Sequence, residues 1–387
     1  MQTYDVIIIG AGAAGLMAAS RASSQEKSVL VIESNRTAGR KIIISGGGRC
    51  NFTNTDVESS HFLSENEHFV KSSLKQYSNW DFIDLVANAD IKYHEKSLGQ
   101  LFCDSSAKDI LELLLKNIDK TVDFKYGQKV LEVSKDDGFK VKTTKDTFAA
   151  KSVIVATGGL SIPTMGASPI GHRIAKDFGH KLIETSPALV PFTLSGVLKD
   201  KTSALSGVSL ATKVQVNGQV FSENLLFTHR GLSGPAILKA SLFWYPTNEV
   251  VINLLPSESL DDILKYNGKK KLKSVLKKFL PERFLDVWFE NIVNLDKNCA
   301  EFSRKDINLI DSLLHNWKFV PAGTEGYRKA EVTRGGVSTE QVSSKTMESM
   351  IVPGLFFVGE VLDVTGLLGG YNFQWAWSSG FVAGNNA

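Results

Sequence analysis

Cysteine is scarce in this chain, and the few that occur exclude two classes of protein. Among 387 residues there are three cysteines, Cys50, Cys103 and Cys299. Three widely spaced cysteines make neither a disulfide framework nor a CxxC metal site. The sequence therefore favours a reducing compartment and predicts no metal centre.

Long apolar runs and a strong charge bias are also missing. No segment approaches the roughly 18 consecutive apolar residues of a membrane span, and the apolar start lacks the basic leader and cleavage site of a signal peptide. The 44 basic and 41 acidic residues leave a net charge of only +3. Any affinity for nucleic acid must then come from a local patch. We expect a cytoplasmic protein that does not bind membranes.

The most informative feature that is present is the N-terminal motif. A strand-like apolar run leads into a GxGxxG sequence at residues 10–15, and a second apolar run ends on Glu33. Gly10 permits the tight turn, Gly12 lets the backbone approach a pyrophosphate, and Gly15 lets the next helix pack on the strand. The helix N-terminus supplies free N–H groups, and Glu33 is placed to bind ribose hydroxyls. This combination predicts a dinucleotide-binding unit.

Segments of the nucleotide-binding type occur at both ends of the chain. A buried strand at 151–156 ends in Thr-Gly-Gly, and a strand at 354–358 ends in Gly-Glu before a helical tail at about 371–383. Between these segments, apolar residues first alternate with the period of a β-strand and then recur at helical spacing. We predict an α/β fold with a Rossmann-like domain interrupted by an insertion. Its parts are a first nucleotide-binding segment at 1–186, a β-rich, barrel-like insert at 187–256 and 309–330, a helical insert at 257–308, and a second nucleotide-binding segment at 331–387.

Three longer motifs carry a family resemblance. They are GRK at 39–41 with SGGGRCN at 45–51, FTHRGLSGP at 227–235, and GEVLD at 359–363 with GGYNFQ at 369–374. Together they resemble the YhiN/BaiN-type (BaiN/RdsA) family of NAD(P)/FAD-dependent oxidoreductases over nearly the whole chain. The chain departs from that pattern at 99–103, where it reads GQLFC and relatives often read Gly-Arg-x-Phe-Pro. The resemblance therefore assigns no role to an arginine in this segment.

The resemblance implies noncovalent FAD in a GR2-type Rossmann domain. Several remote glycine-rich segments agree with FAD rather than NAD, because an isoalloxazine and a ribityl chain need further close backbone contacts. A helix starting after Gly370 would stabilise the negative charge that a flavin gains on reduction. Since there is no second dinucleotide unit, the electron donor is expected to be NAD(P)H bound transiently over the flavin or another protein. The residues predicted to bind the cofactor are Gly10, Gly12, Ala13, Ala14, Gly15, Glu33, Gly39, Arg40, Lys41, Ser45, Gly46, Gly47, Gly48, Arg49, Asn51, Val130, Thr157, Gly158, Gly159, Gly359, Glu360, Asp363, Gly369, Gly370, Tyr371 and Asn372.

Three side chains are candidates for catalysis. Cys50 follows Arg49 in the glycine-rich loop, where a cation and free N–H groups would lower the pKa of its thiol, although a free cysteine is often just a small buried apolar residue. His229 and Arg230 lie in the family-specific segment of the insertion. They could act as acid and anion clamp facing the flavin, or His229 could simply brace a loop.

A basic segment in the insertion is the candidate surface for RNA. Residues 268–279 are predicted to form a helix, with Leu272, Val275, Leu276 and Phe279 as its apolar stripe. The remaining face could track a phosphate backbone or could be an ordinary solvated surface. Its lysines are Lys269, Lys270, Lys271, Lys273, Lys277 and Lys278.

The resemblance implies hydride transfer from reduced flavin to an activated C=C bond. Two substrates are open: a uracil in ribosomal RNA, giving dihydrouridine in 23S rRNA, or a small enoate or steroid-like acid. The lysine segment favours RNA. A noncatalytic FAD protein that binds RNA or another partner is the third possibility.

Overall fold

The structure is a computed structural model that describes all residues from Met1 to Ala387, and the chain divides into two compact units. The first unit combines Met1–Pro187 with Glu331–Ala387, and the second is Ala188–Ala330. The two ends of the chain thus build one unit, and the second unit is inserted between them in the sequence. The division lies one residue after the boundary expected at 186.

The first segment begins with strand, glycine-rich turn and helix, because the β-branched run of β1 is followed at once by glycines and small helix formers. Its helices are α1 (Ala13–Ser23), α2 (Arg40–Ile44), α3 (Val70–Gln76), α4 (Asn79–Asn88), α5 (Ala107–Lys116) and α6 (Ile170–Asp177). Its strands are β1 (Gln2–Ile9), β2 (Val29–Glu33), β3 (Asn51–Asn54), β4 (Phe62–Leu63), β5 (Tyr93–Glu95), β6 (Gln100–Cys103), β7 (Asp123–Tyr126), β8 (Val130–Lys135), β9 (Phe139–Thr143), β10 (Thr147–Val155) and β11 (Leu182–Ala188).

The second unit is built from antiparallel strands and short helices. Its strands are β12 (Phe192–Thr193), β13 (Ser209–Val216), β14 (Gln219–Thr228), β15 (Gly231–Ser233), β16 (Val250–Asn253), β17 (Trp317–Phe319) and β18 (Gly323–Thr324). Its helices are α7 (Gly196–Ala204), α8 (Pro235–Ser241), α9 (Leu260–Tyr266), α10 (Leu272–Leu276), α11 (Glu282–Phe289) and α12 (Arg304–His315). The strands form one sheet in the order β17-β16-β13-β14-β15-β12-β18.

The C-terminal segment completes the main sheet of the first unit. It contains β19 (Val332–Val337), β20 (Leu355–Phe357), β21 (Thr365–Gly366) and α13 (Tyr371–Asn386). The sheet runs β7-β2-β1-β10-β9-β8, and β20 also pairs with β10. The strands β7, β2, β1, β10 and β20 are parallel, whereas β9 and β8 form an antiparallel hairpin on β10.

The middle of β1 is buried on both faces, as a central parallel strand requires. Val6, Ile7 and Ile8 have no solvent exposure, which explains why this strand is a continuous apolar run rather than an alternating one. Helix α13 lies directly against α1, because Gly380 has no side chain: a Cβ there would overlap the carbonyl oxygen of Ala14. The Rossmann-like α/β fold predicted from the sequence is confirmed.

Two expectations about the insertion differ from the structure. The predicted β-rich part contains the helices α7 and α8, and α12 crosses the expected limit at 308. The β-rich and helical parts also share one hydrophobic core, in which Val214 and Ile252 of the sheet belong to the same cluster as Leu276 and Trp288 of the helices. Neither part can bury its apolar face alone, so the insertion is a single unit.

Candidate functional site

The turn after β1 is closed by two glycines that the packing itself requires. Gly10 has φ +108°, and a Cβ on it would lie 2.5 Å from the carbonyl oxygen of Ala156 at the end of β10. A Cβ on Gly15 would overlap the carbonyl oxygen of Gly10. Both positions therefore need glycine for the fold, whatever binds at the turn.

Gly12 differs, because the fold does not need a glycine there. Its backbone is extended, with φ −85°, and a Cβ would meet no atom within 4 Å. It precedes α1, whose N-terminus has no side-chain cap. Open space in front of unpaired helix N–H groups is what a bound pyrophosphate requires. The predicted FAD contact of residues 12–15 therefore fits this turn.

Glu33 holds the neighbouring loops together. One carboxylate oxygen accepts a hydrogen bond from Ala11 N–H at 2.8 Å, and the other accepts from the backbone N–H of Asn35 at 2.7 Å. Gly39 N–H donates to the carbonyl oxygen of Ala11 at 2.8 Å, and Arg40 donates to the Asn35 side chain at 2.7 Å. Glu33, Gly39 and Arg40 thus lie in one network beside the turn, and the ribose contact of Glu33 stays a prediction.

Lys41 and Glu360, 319 residues apart, form an ion pair in this unit. The Lys41 ammonium lies 3.0 Å from Glu360 Oε2 and donates to the Ser161 hydroxyl at 2.7 Å. Glu360 Oε1 accepts from the Ser161 hydroxyl at 2.9 Å and from Thr333 N–H at 2.8 Å. Burial alone would raise the pKa of the Glu360 carboxyl, but the Lys41 charge and these hydrogen bonds outweigh it and hold the pKa below its ordinary value. Glu360 is therefore a carboxylate at neutral pH.

The segment after β10 packs against the same carboxylate. A Cβ on Gly159 would lie 2.5 Å from Thr333 Oγ1 and 2.8 Å from Glu360 Oε1. Gly158 has a left-handed backbone, φ +70°, and follows Thr157. The ends of β10 and β20 thus meet here, as adjacent parallel strands must. Sequence reasoning missed Ser161 and Thr333, because nothing local marks a partner that lies far along the chain.

The glycine-rich loop Ser45–Gly48 and the start of α13 meet through β3. The Asn54 side chain donates to the Gly369 carbonyl oxygen at 3.0 Å, and Thr53 Oγ1 donates to Gln374 at 2.7 Å. In the amide orientation that satisfies its neighbours, Asn51 accepts from Gly370 N–H at 3.2 Å. Like α1, α13 has no side-chain cap at its N-terminus.

The loop itself is open towards solvent. Gly46 and Gly47 have left-handed backbones, with φ +56° and +69°, and a Cβ on Gly47 or Gly48 would meet no atom within 4 Å. The following residue, Arg49, is exposed. The predicted approach of this backbone to a flavin is sterically open.

Tyr371 and Asn372 are engaged by protein groups. The Tyr371 ring lies 4.6 Å from the His61 ring between centroids. The Asn372 amide bonds both ways with the backbone of Gly366, accepting from its N–H at 2.9 Å and donating to its carbonyl oxygen at 2.8 Å. Asn372 therefore closes the loop before α13. His61 was not found from the sequence.

Asp363 and Val130 also have structural roles. Asp363 is buried and accepts a bond from Glu65 N–H at 2.9 Å. Burial raises the pKa of its carboxyl. Val130 pairs with Thr143 in the β8–β9 hairpin. The cofactor contacts predicted for both residues stay predictions.

The reasoning that made Cys50 a reactive thiol is wrong. Its side chain has no solvent exposure, and burial raises the pKa of the thiol to about 12 instead of lowering it. The Ser45 hydroxyl favours the thiolate by a smaller amount. At neutral pH Cys50 is a buried neutral thiol, and the neighbouring charge of Arg49 does not change this.

His229 and Arg230 lie in the second unit, in the loop that joins β14 to β15. Both side chains are exposed. Arg230 lies 3.7 Å from the carboxylate of Glu325, and Arg230 N–H donates to the Thr228 hydroxyl at 3.3 Å. Glu325 is a partner that sequence reasoning missed.

The predicted basic helix is wrong in extent. Only Leu272–Leu276 is helical, and Phe279 is 41% exposed instead of joining the apolar stripe. Residues 268–271 instead pair through their backbone with 297–300. A long-range pairing has overridden the local helical spacing.

Half of the predicted lysines already have acidic partners. The Lys273 ammonium contacts Asp286 and lies 3.9 Å from Glu282, and Lys277 lies 2.8 Å from Glu282. Lys271 lies 3.7 Å from Asp296. The lysines without an ion pair are Lys269, Lys270 and Lys278.

The first unit therefore combines a parallel sheet, two uncapped helix N-termini and open glycine-rich backbone drawn from both ends of the chain. No three His, Cys, Asp or Glu side chains are grouped so that they could hold a metal ion. No helix is both long and apolar enough to cross a bilayer. This arrangement fits an FAD-dependent oxidoreductase with a two-segment Rossmann domain.

Comparison with known proteins agrees with this class. The HI0933-like protein Rossmann domain model matches residues 4–386, and the chain belongs to the HI0933-like family. The chain is 49% identical over 397 residues to the ribosomal RNA dihydrouridine synthase of Haemophilus influenzae, covering 98% of both chains. It is 47% identical to the protein of the same name from Escherichia coli, covering 99% of this chain and 97% of the relative. It is 29% identical to the 3-dehydro-bile acid delta(4,6)-reductase of Clostridium scindens, covering 98% of both. The family resemblance predicted from the motifs is confirmed.

Proposed function

We propose that this protein reduces a uracil of ribosomal RNA to dihydrouridine with FAD as its cofactor. The observation that carries the proposal is the similarity over almost the whole length to two ribosomal RNA dihydrouridine synthases, at 49% and 47% identity. The similarity to the bile acid reductase is much lower, 29%. A small-molecule enoate or steroid-like substrate is therefore the second candidate.

The residues of the first unit bind and orient the cofactor. The free N–H groups at the start of α1 and the open backbone at Gly12 are suited to the pyrophosphate. The uncapped start of α13 supplies positive potential for charge that develops on reduction. When bound, FAD supplies the hydride. Lys41 and Glu360 hold the two segments of the unit in one arrangement around these groups.

Reduction of a C=C bond conjugated to a carbonyl needs two further groups. Hydride adds to the carbon β to the carbonyl, a proton goes to the α carbon, and the carbonyl oxygen needs a hydrogen-bond donor. We propose His229 as the acid and Arg230 as the donor. Cys50, buried and neutral, is retained only as the alternative proton donor.

The electron donor, the location of the protein and its RNA contacts are further parts of the proposal. We propose that NAD(P)H reduces the flavin in a transient complex, and that the protein acts in the cytoplasm, where ribosomal RNA is made and modified. We also propose that the lysines without ion-pair partners, among them Lys269 and Lys270, contact the RNA.

We expect reduced, FAD-loaded protein to be reoxidised faster by unmodified ribosomal RNA than by oxygen alone, and the RNA to gain dihydrouridine. Stopped-flow absorbance of the flavin measures the first, and nucleoside mass spectrometry of the RNA measures the second. RNA that already carries the modification is the control. Rapid reoxidation by a small enone or enoic acid, with none by RNA, would favour the small-molecule reductase. No acceleration by either would favour a noncatalytic flavoprotein.

The same stopped-flow assay separates the two candidate acids. Because loss of a general acid typically costs about 10²- to 10⁴-fold in rate, we expect His229→Ala to slow reoxidation by RNA roughly 100-fold with unchanged flavin content. Cys50→Ala should leave the rate within about threefold, since a buried thiol with a raised pKa is a poor proton donor at neutral pH. The opposite pattern would assign the proton to Cys50.

A further inference from the structure

Two separate stretches of the second unit are joined by backbone pairing and bring lysines together. Cys299 N–H donates to the Lys270 carbonyl oxygen at 2.9 Å, and Ala300 N–H donates to that of Gly268 at 3.1 Å. Leu272 N–H donates to the Lys297 carbonyl oxygen at 3.1 Å. Lys269 and Lys270 therefore lie beside Lys297, which the sequence places far from them.

The cations of this surface divide into two sets. Lys271, Lys273 and Lys277 each have a carboxylate partner. The others are exposed and form no ion pair, and Lys270 donates only to the neutral amide of Asn267, at 3.2 Å. Those that lie in the paired stretches or at the adjoining ends of α9 and α12, and form no ion pair, are Lys265, Lys269, Lys270, Lys297, Arg304 and Lys305. Lys278 also forms no ion pair but lies outside these stretches in the sequence.

Two of these cations lie where the helix dipole disfavours a positive charge. Arg304 and Lys305 are the first two residues of α12, at the end of the helix that already carries positive potential. A cation in that turn costs about 0.3–1 kcal/mol. The one acid of the turn, Asp306, forms a capping box with Ser303, and the charges of Lys297 and Lys305 act on it only as weaker contributions to its lowered pKa. A bound anion would reverse this cost.

An exposed aromatic ring stands beside the unpaired cations. Tyr266, the last residue of α9, is 73% exposed. The Lys265 ammonium lies 5.3 Å from the centroid of its ring, and Tyr266 precedes Asn267 and the paired stretch that carries Lys269. Aromatic rings set among cations are typical of surfaces that bind unpaired nucleotides, because each base can stack while its phosphate is neutralised.

We propose that these six cations with Tyr266, called here the basic face, bind the phosphate backbone of the RNA substrate and stack one unpaired base on Tyr266. The proposal rests on the proposed function, since it locates the RNA surface of the same enzyme. It replaces the continuous lysine helix predicted from the sequence. The ion-paired lysines Lys271, Lys273 and Lys277 stabilise the unit and take no part in binding.

Two triple variants with the same change in net charge test this division in the FAD-loaded full-length protein. Removing three phosphate contacts to single-stranded RNA makes the negative slope of log affinity against log salt concentration less steep by about 2. The first variant combines Lys269→Gln, Lys297→Gln and Lys305→Gln. We expect its salt slope to decrease by this amount and its binding of unmodified ribosomal RNA at low salt to be at least roughly tenfold weaker. The control variant combines Lys271→Gln, Lys273→Gln and Lys277→Gln. It should bind RNA within about threefold of the wild type and keep the wild-type salt slope, because the long-range effect of three charges is small beside direct contacts. Equal losses in both variants, or a larger loss in the second, would overturn the proposal.

Single changes at the tyrosine test the stacking. Because stacking of one base on an aromatic ring contributes about 1–3 kcal/mol, Tyr266→Ala should weaken RNA binding at least fivefold. Tyr266→Phe should bind like the wild type, since the ring is kept. Tyr245→Ala, at another exposed tyrosine of the same unit, is the control and should have no effect. Loss in Tyr266→Phe, or no loss in Tyr266→Ala, would contradict a stacking role.

Failure of this proposal can be told from failure of the proposed function. If the wild-type protein neither binds unmodified ribosomal RNA nor forms dihydrouridine in it, the function fails and the basic face fails with it. If the wild type forms dihydrouridine while both triple variants bind RNA equally, the function stands and only the basic face is wrong. Flavin content, read from the absorbance of each preparation, should be the same in all variants.

Discussion

Gly12→Val is expected to give a folded but colourless protein. The Cβ of residue 12 would meet no protein atom within 4 Å, and the backbone there is already extended. Valine therefore fits the empty turn at a cost of about 1 kcal/mol for a poorer helix N-cap. A ligand phosphate held by the N-terminus of α1 would need that same space. Absorbance near the flavin maximum and chromatography of the released cofactor measure the loss.

Gly15→Ala is the matched control for the same turn. Its added methyl group would overlap the carbonyl oxygen of Gly10, so we expect the melting temperature and the flavin content to fall together. In Gly12→Val only the flavin content should fall, with far-ultraviolet circular dichroism like that of flavin-depleted wild type. Full flavin content in Gly12→Val would show that the cofactor does not approach this turn.

The turn at Gly12 could be predicted because its signals are local. The spacing of Gly10, Gly12 and Gly15 and the apolar run before them lie within one strand, one turn and one helix. The helical tail was predicted for the same reason, and α13 runs over Tyr371–Asn386. The steric requirements of such an element involve residues that are close together in the sequence, so they can be recognised without knowing the fold.

Interactions between remote residues could not be predicted in this way. The burial that raises the pKa of Cys50 comes from packing that no neighbour in sequence reveals. Helical spacing at 268–279 gave way to pairing with 297–300, because long-range backbone hydrogen bonds outweigh a weak local preference. The same pairing brings Lys297 to the basic face.

The Lys41–Glu360 pair is another interaction between residues remote in the sequence. Breaking it is the second change for which we expect a large effect. Both side chains are partly buried, 33% and 19% exposed. Exposed pairs contribute roughly 0.2–1 kcal/mol and loss of one partner of a buried pair costs roughly 3–5 kcal/mol. For Glu360→Gln we expect an intermediate loss of about 2 kcal/mol in the free energy of unfolding. Because the pair joins α2 to the turn after β20, flavin affinity should fall as well.

A double-mutant cycle isolates the pair from other effects of each substitution. Lys41→Met, Glu360→Gln and the double variant, unfolded in urea with excess FAD, should give a coupling of about 1 kcal/mol or more. The control is the exposed pair Lys140–Asp136, which has the same 3.0 Å separation with side chains 50% and 73% exposed. Its coupling should stay below about 0.5 kcal/mol. Equal couplings in the two cycles would mean that the partial burial of Lys41 and Glu360 does not strengthen their interaction.

Acid should remove the Glu360 contribution in a predictable direction. The pKa of the Glu360 carboxyl is lowered in the folded protein from an ordinary value near 4.5. The unfolded state then binds the proton more readily, so the stabilisation is fully present above that ordinary value and is lost as the pH falls through the lowered pKa. The difference in unfolding free energy between the wild type and Glu360→Gln should therefore be constant from pH 7 to about pH 5 and shrink below it. A difference that stays constant down to pH 3 would show that Glu360 acts through its shape and hydrogen bonds rather than through its charge.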